Sequence, residues 1–330
     1  MHSRQRFAAV AVALSTVLIA AGCASPAPEA ATAEGITLEH AFGETVVPAD
    51  ASRVVTLGWG STDAAIALGV VPVAIPFDSY AGDEEGVLPW VREAVDELGA
   101  ELPTVLPDSP EEPPYDAIDA ANPDVILAVY SGITQEQYDL LSEIAPVVAY
   151  SGEAWSTPWR DLITTVGTAL GEDDKAAEVI AGIESEVAEA AAAHPEFAGK
   201  SIAAVWDVAG TFYVYKQADP RVEFLLDLGF VNAPAVDELA NGDATFYYTL
   251  SYEQLDKLSS DVVLNYSDTQ EGADAFLTAP QTSVIPAVGA GHVAQLVGTE
   301  YISAVSPPTA LSISWGLEQL VDSLAAATAE

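Results

Sequence analysis

Short, unbroken apolar runs alternate with helix-like segments along most of this chain, and that alternation restricts the fold more than any other feature. RVVTLG (53–58), VVPVAI (70–75), DVILAVY (124–130) and PVVAY (146–150) are β-type runs. Between them lie an apolar helix at 61–68, a short helix in PPYDAIDAANP and a helix at 135–144. Strands that alternate with helices imply βαβ units and a mainly parallel sheet. Strands buried on both faces are continuously apolar, as these runs are, and do not alternate with polar residues.

The rhythm breaks near residue 158. One helix runs from Pro158 to Leu170 and stops at Gly171. A second starts in the acids Glu172–Asp174, which favour a helix N-terminus, and continues to His194 before Pro195. Its apolar residues Ala176, Ile180, Ile183, Val187 and Ala190 share one helical face. Such a helix is a rod about 30 Å long at ~1.5 Å per residue. A second α/β pattern follows, with strands SIAAVWDV (201–208), TFYVY (211–215), DVVLNY (261–266) and GHVAQLV (291–297) and a last helix at 308–324. The fold class expected is α/β, with two α/β lobes at 36–171 and 195–330 joined by one long helix at 172–194. A single doubly wound domain is the alternative. No repeat of solenoid period is present.

Composition removes several classes of function. The chain has 330 residues, half of them hydrophobic, which is enough for a large core. It carries 10 Lys+Arg against 50 Asp+Glu, a net charge of −40. Phosphate backbones and anionic membrane surfaces repel such a surface, so nucleic acid is not an expected partner. One Cys excludes a disulfide framework, a cysteine zinc site and an iron–sulfur cluster, and four scattered His make a histidine metal site unexpected. No metal ligand set or cofactor is expected.

That one Cys, Cys23, follows Arg4, Arg6 and an apolar stretch at 7–22 that ends in small residues. The arrangement resembles a bacterial lipoprotein signal, cleaved after residue 22 so that Cys23 becomes the lipidated first residue. An ordinary secretory signal or an uncleaved span are the alternatives. Residues 23–35, rich in Ala, Pro and Glu, read as a flexible tether. The expected location is the outer face of the cytoplasmic membrane.

The segment RVVTLGWGSTDAAIALGVVPVAIP resembles the opening of the solute-binding proteins of iron–siderophore ABC transporters. NPDVILA, LSEIAPVVAY, LLDLGF, SYEQLDKLSSDVVL and PAVGAGHVAQL resemble further blocks of that family in the same order, over roughly 36–326. The resemblance implies two lobes joined by a rigid helix, a ligand cleft between them, a ferric siderophore as ligand and an ABC permease as partner. The chain would act as a monomer. Cobalamin- and haem-binding members share these blocks, and an extracytoplasmic enzyme is the alternative from another class. Against an enzyme, Gly58-Trp59-Gly60-Ser61 lacks the order of a nucleophile elbow, and Gly289 and Gly291 lack a phosphate-loop lysine.

A ferric siderophore already coordinates its iron, so its pocket needs aromatic walls and a few donors. In α/β units ligands sit on the loops that follow the strands. Residues there are Trp59, Tyr80, Tyr130, Trp155 and Arg160 in the first half. In the second half they are Trp206, Tyr213, Tyr215, Lys216, Arg221, Tyr247, Tyr248 and Tyr266. So few cations suit a neutral or cationic ferric complex, such as a hydroxamate, better than a trianionic catecholate. The resemblance also implies one acid per lobe that contacts the permease, and these fall at Asp116 and Glu253.

Overall fold

A computed structural model describes residues 35–109, 111–242 and 244–329. Cys23, the signal at 1–22 and all of the tether except Gly35 lie outside the described residues. Gly35 begins a hairpin that the sequence reading did not assign, β1 (Gly35–His40) and β2 (Gly43–Pro48), paired antiparallel. The hairpin docks on the first sheet through Thr45, whose hydroxyl donates to the Val147 carbonyl at 2.8 Å.

The first sheet contains β3 (Val54–Thr56), β4 (Ala74–Ile75), β5 (Thr104–Val105), β6 (Val125–Ala128) and β7 (Val147–Ala149). Its spatial order is β5-β4-β3-β6-β7, and every pairing is parallel. Both faces are buried. Val54, Leu127 and Val148 enter one hydrophobic cluster while their neighbours Val55, Ile126 and Val147 enter another. This two-sided burial is why the runs read as continuous. Of the 70–75 run only Ala74 and Ile75 pair as strand.

The second sheet is mixed. It contains β8 (Ser201–Val208), β9 (Thr211–Tyr215), β10 (Val231–Asn232), β11 (Tyr247–Thr249), β12 (Val262–Ser267) and β13 (Val293–Val297). β10, β12 and β13 run parallel to β8 or to each other, whereas β9 and β11 are antiparallel. β11 comes from the aromatic segment ATFYYT, whose strand character the sequence reading missed. Only two residues, Ala209 and Gly210, connect β8 to β9, and both have positive φ, the conformation that a tight hairpin of the correct twist requires.

Helix Asp173–Ala193 links the two halves. It buries Ala176, Ile183 and Val187, with Ile180 and Ala190 packed at the rim of the same cluster. That cluster continues into both sheets, so the rod is held along its length. The C-terminal helix starts at Ser312, later than the expected Pro308. Pro308 is instead paired with Val305 in an isolated antiparallel bridge, and the hydroxyl of Thr309 accepts the Ser312 N–H at 3.2 Å where the helix begins. Among the described residues, no helix is long and apolar enough to cross a membrane.

Candidate ligand-binding site

The parallel strands of the first sheet end at one edge, so the segments after β3, β4, β6 and β7 converge. The segments after β3 and β4 face β8, β9 and β11 across a cleft of about 610 Å³, and those after β6 and β7 pack behind them. That volume lies within the range of about 300–1,000 Å³ usual for small-molecule pockets.

Trp59 stands at the mouth on the first-half side and is 47% exposed. Its N–H donates to the Tyr130 carbonyl at 3.0 Å. Gly58 makes that approach possible: its φ is +70°, and a Cβ there would lie 2.3 Å from the Tyr130 carbonyl oxygen. Tyr130 and Trp155 form the support behind Trp59. The Trp59 ring is 6.1 Å from Tyr130 and 5.0 Å from Trp155. Trp155, at φ +59°, is held by its N–H to Ser131 O (3.2 Å) and by Tyr130 Oη donating to its carbonyl (2.8 Å). Neither Tyr130 nor Trp155 lines the cleft; both shape it through Trp59.

The opposite wall follows from strand periodicity. Trp206 pairs with Tyr213, and Tyr215 pairs with Tyr247. Directly opposed residues share a face, as do residues two apart on a strand. Trp206, Tyr213, Tyr215 and Tyr247 therefore form one aromatic face, and all four line the cleft. Tyr266, opposite Trp206 on β12, lies on the same face, buried against Trp206 and Tyr215 and behind the lining. Tyr248, adjacent to Tyr247, points to the other face. It is fully buried in a separate core with Phe212 and Val214 and does not reach the cleft.

Arg221 is the single cation of the cleft lining among the described residues. Asp219 caps the helix Pro220–Asp227 through the Arg221 N–H and accepts Arg221 Nε at 2.7 Å. The guanidinium lies 4.0 Å from the Tyr215 ring centroid, a cation–π contact. Burial opposes the charge on Arg221, but Asp219 and the surrounding phenols outweigh it and hold the guanidinium protonated. Burial raises Asp219, yet the guanidinium beside it cannot release its proton, so the pair is ionic. Burial pushes the Tyr215 phenol up to about 12.

The other two expected cations are engaged elsewhere. Arg160 stacks on Trp159 at 4.1 Å and bonds Glu184 (2.7 Å) and Asp227 (3.1 Å), bracing the linking helix away from the cleft. Lys216 donates its ammonium to the Ala244 carbonyl.

Phe77, an aromatic after the second strand run, and Phe246 in ATFYYT also line the cleft, whereas Trp90, Val91 and Asp63 belong to helices and carried no sequence signal. Asp63 is 2% exposed at the cleft floor, and its Oδ1 accepts Trp90 Nε1 at 2.6 Å and Thr309 Oγ1 at 2.5 Å. Burial pushes its carboxyl up to about 6 against the pull of those two bonds. The Thr309 bond also ties the first half to the segment before the C-terminal helix. Beside it, Trp90 meets Trp315 at 5.3 Å.

Asp116 lies exposed in the first turn of the helix Tyr115–Ala120. Glu253 lies exposed in the first turn of a 3₁₀ helix capped by Ser251. Neither is part of the cleft. Among the described residues, no group of three or more His, Cys, Asp or Glu is placed to hold a metal ion.

Comparison with known proteins agrees with this architecture. The family model described as "Periplasmic binding protein" matches residues 54–298. The "Probable siderophore-binding lipoprotein YfiY" of Bacillus subtilis (strain 168) is 28% identical over 271 residues, 79% of each chain. The crystal structure of Streptococcus pneumoniae TIGR4 PiaA in complex with ferrichrome is 36% identical. It superposes with a TM-score of 0.80 over 89% of this chain and 98% of that one. A periplasmic solute binding protein from Mycobacterium smegmatis is 27% identical, with a TM-score of 0.74 over 89% and 99% of the two chains. The family match begins in the first sheet and ends just past the last strand of the second, so it takes in both walls of the cleft: the chain belongs to the periplasmic binding protein family.

Proposed function

We propose that this chain is the substrate-binding protein of an ABC importer and that it captures a ferric siderophore of the hydroxamate class in its cleft. The observation that carries the reading is the cleft itself, an aromatic box lined by a single, largely buried arginine among the described residues. The rings of Trp59, Tyr80, Trp206, Tyr213, Tyr215 and Tyr247 supply apolar contact. The guanidinium of Arg221, which lines the cleft, is suited to the oxygens of an iron chelate, which a planar fork recognises better than an ammonium does. The ligand in the 36%-identical PiaA structure, ferrichrome, is a ferric hydroxamate and supports the same class.

Charge selects within the siderophores. The charged residues of the lining, among those described, are Asp63, Asp78 and Arg221. Iron(III) with three hydroxamates is neutral, whereas iron(III) with three catecholates carries three negative charges. A lining with two carboxylates and one already-paired guanidinium opposes the second, because a cleft with low-dielectric walls concentrates the field of its charges. The iron is cargo held by the chelator, and this chain performs no chemistry on it.

Asp116 and Glu253, one on each lobe, are proposed to contact the permease. Cys23 is proposed to carry the lipid that keeps the monomeric protein outside the cytoplasmic membrane; the name of the Bacillus relative supports a lipoprotein. The lobes are proposed to comprise 36–171 and 195–330. The bonds between them and the linking helix favour small closure motions.

The test is a tryptophan-fluorescence titration with ferric hydroxamate, catecholate and carboxylate siderophores, their iron-free forms, haem and cobalamin. Saturable quenching by ferric hydroxamates at submicromolar concentration is expected. Tighter binding of a tris-catecholate, haem or cobalamin would replace the ligand assignment, and turnover of any of them would replace the binding role.

A further inference from the structure

The segment between β4 and the helix Pro89–Glu97 (Pro89 to Glu97) crosses the mouth of the cleft and is stiffened from within. Asp78 Oδ1 accepts the N–H groups of Tyr80 (3.0 Å), Ala81 (2.7 Å) and Gly82 (3.3 Å). Asp78 N–H closes the segment on Gly86 O at 2.9 Å, and Arg92 clamps Asp83 and Glu85. Despite this bracing Tyr80 stands out from the protein, 41% exposed, with its ring 6.4 Å from Trp206 on the far wall. Its hydroxyl donates to Asp268 Oδ1 at 2.5 Å. Asp268 follows β12 in the second half, lies outside the cleft lining and makes no other hydrogen bond or ion pair among the described residues.

We infer that Asp268 is a positioning residue: it holds Tyr80 across the mouth so that the Tyr80 ring closes over a bound ligand and slows its escape. An exposed tyrosine turns about two side-chain bonds, and fixing it before the ligand arrives removes an ordering cost from binding. The bond has the length expected of a hydroxyl on a charged carboxylate, among the stronger hydrogen bonds. Asp268 raises the Tyr80 phenol further above its ordinary value after burial has done so, which keeps the proton on the donor. Asp268 acts only through Tyr80, and its removal leaves the cleft lining intact.

This inference rests on the ligand-binding reading above, and two measurements separate them. The first is stopped-flow fluorescence with ferrichrome on wild type, Asp268→Ala, Tyr80→Phe and the double variant. Losing one hydrogen bond to a charged group should raise the dissociation rate about 10-fold. Each single variant should show this rise with little change in association rate, and the double variant should show no further rise. Asp268→Glu, which keeps the acceptor, should recover part of the slow exit. If Asp268→Ala dissociates at the wild-type rate while Tyr80→Phe is fast, the hydroxyl serves the ligand directly and the inference fails. The second measurement is hydrogen exchange across residues 76–88 without ligand. Faster exchange is expected in Asp268→Ala, and an unchanged pattern would overturn the positioning role whether or not ferrichrome binds. Failure of wild type to bind any ferric hydroxamate would instead remove the ligand assignment.

Discussion

Replacing Asp63 with Asn should remove from this protein one contribution to stability that is lost as pH rises. Asp63 is almost completely buried, and its carboxyl is pushed from 3.8 up to about 6, first by burial and then by the charge on Asp78, with the Thr309 and Trp90 bonds opposing. A shift of roughly two units at ~1.36 kcal/mol each means that ionising Asp63 costs the folded state about 3 kcal/mol. The folded protein keeps this proton up to about pH 6, whereas the unfolded chain releases it above its ordinary value. Stability from this group is therefore complete below that ordinary value, declines as pH rises through the window up to about 6, and is level above it. Asn keeps an oxygen for Trp90 and Thr309 but never ionises. Its extra N–H₂ costs about 1–3 kcal/mol if unpaired, and that cost is the same at every pH. The stability of Asp63→Asn relative to wild type should thus rise by about 2 kcal/mol between pH 4 and pH 7, the rest of the change falling outside that range. Urea unfolding of both proteins across that range reads the difference directly, since the many other acids cancel. A difference independent of pH would refute the argument that Asp63 is buried as a strained carboxyl.

Arg221→Gln should weaken ferrichrome binding by about 10- to 100-fold by fluorescence titration, the worth of a charged hydrogen-bond donor. It should also lower the melting temperature, since a buried acid deprived of its partner costs about 3–5 kcal/mol; unchanged affinity would remove Arg221 from the ligand's contacts. Gly58→Ala should destabilise by at least about 1–2 kcal/mol from the left-handed backbone alone. It should also weaken ligand binding, because the new Cβ drives Trp59 away from Tyr130; calorimetry and the same titration check both effects. Glu253→Lys should leave ligand affinity unchanged and abolish uptake by cells carrying the importer, and normal uptake would remove the docking role.

How far the cleft was legible in the sequence depended on how local its causes were. Trp59, Tyr80, Trp206, Tyr213, Tyr215 and Tyr247 stood out because aromatic residues follow or end apolar strand runs. Arg221 stood out as one of few cations. Tyr248 and Tyr247 could not be separated while ATFYYT read as a loop. Only its pairing with β9 puts consecutive tyrosines on opposite faces. Arg160 was misplaced because its partners, Glu184 and Asp227, are distant in sequence. Phe77 and Phe246 stood out in the same way, but Trp90 and Asp63 gave no sign: a tryptophan and an acid on helices are ordinary.

By itself, the sequence determined the alternation of strands and helices, the long linking helix with its single apolar face, and the scarcity of cations. These are properties of spacing and composition, set within a turn of helix or a few residues of strand. The tertiary structure alone decided which face of the second sheet meets the cleft and which phenols are sealed behind it. It also decided that Arg221 lines the cleft while Arg160 and Lys216 do not, and that Tyr80 finds Asp268 across 188 positions of chain. Contacts of that range arise only when two separately formed sheets are held at a fixed distance, and no local pattern encodes that distance.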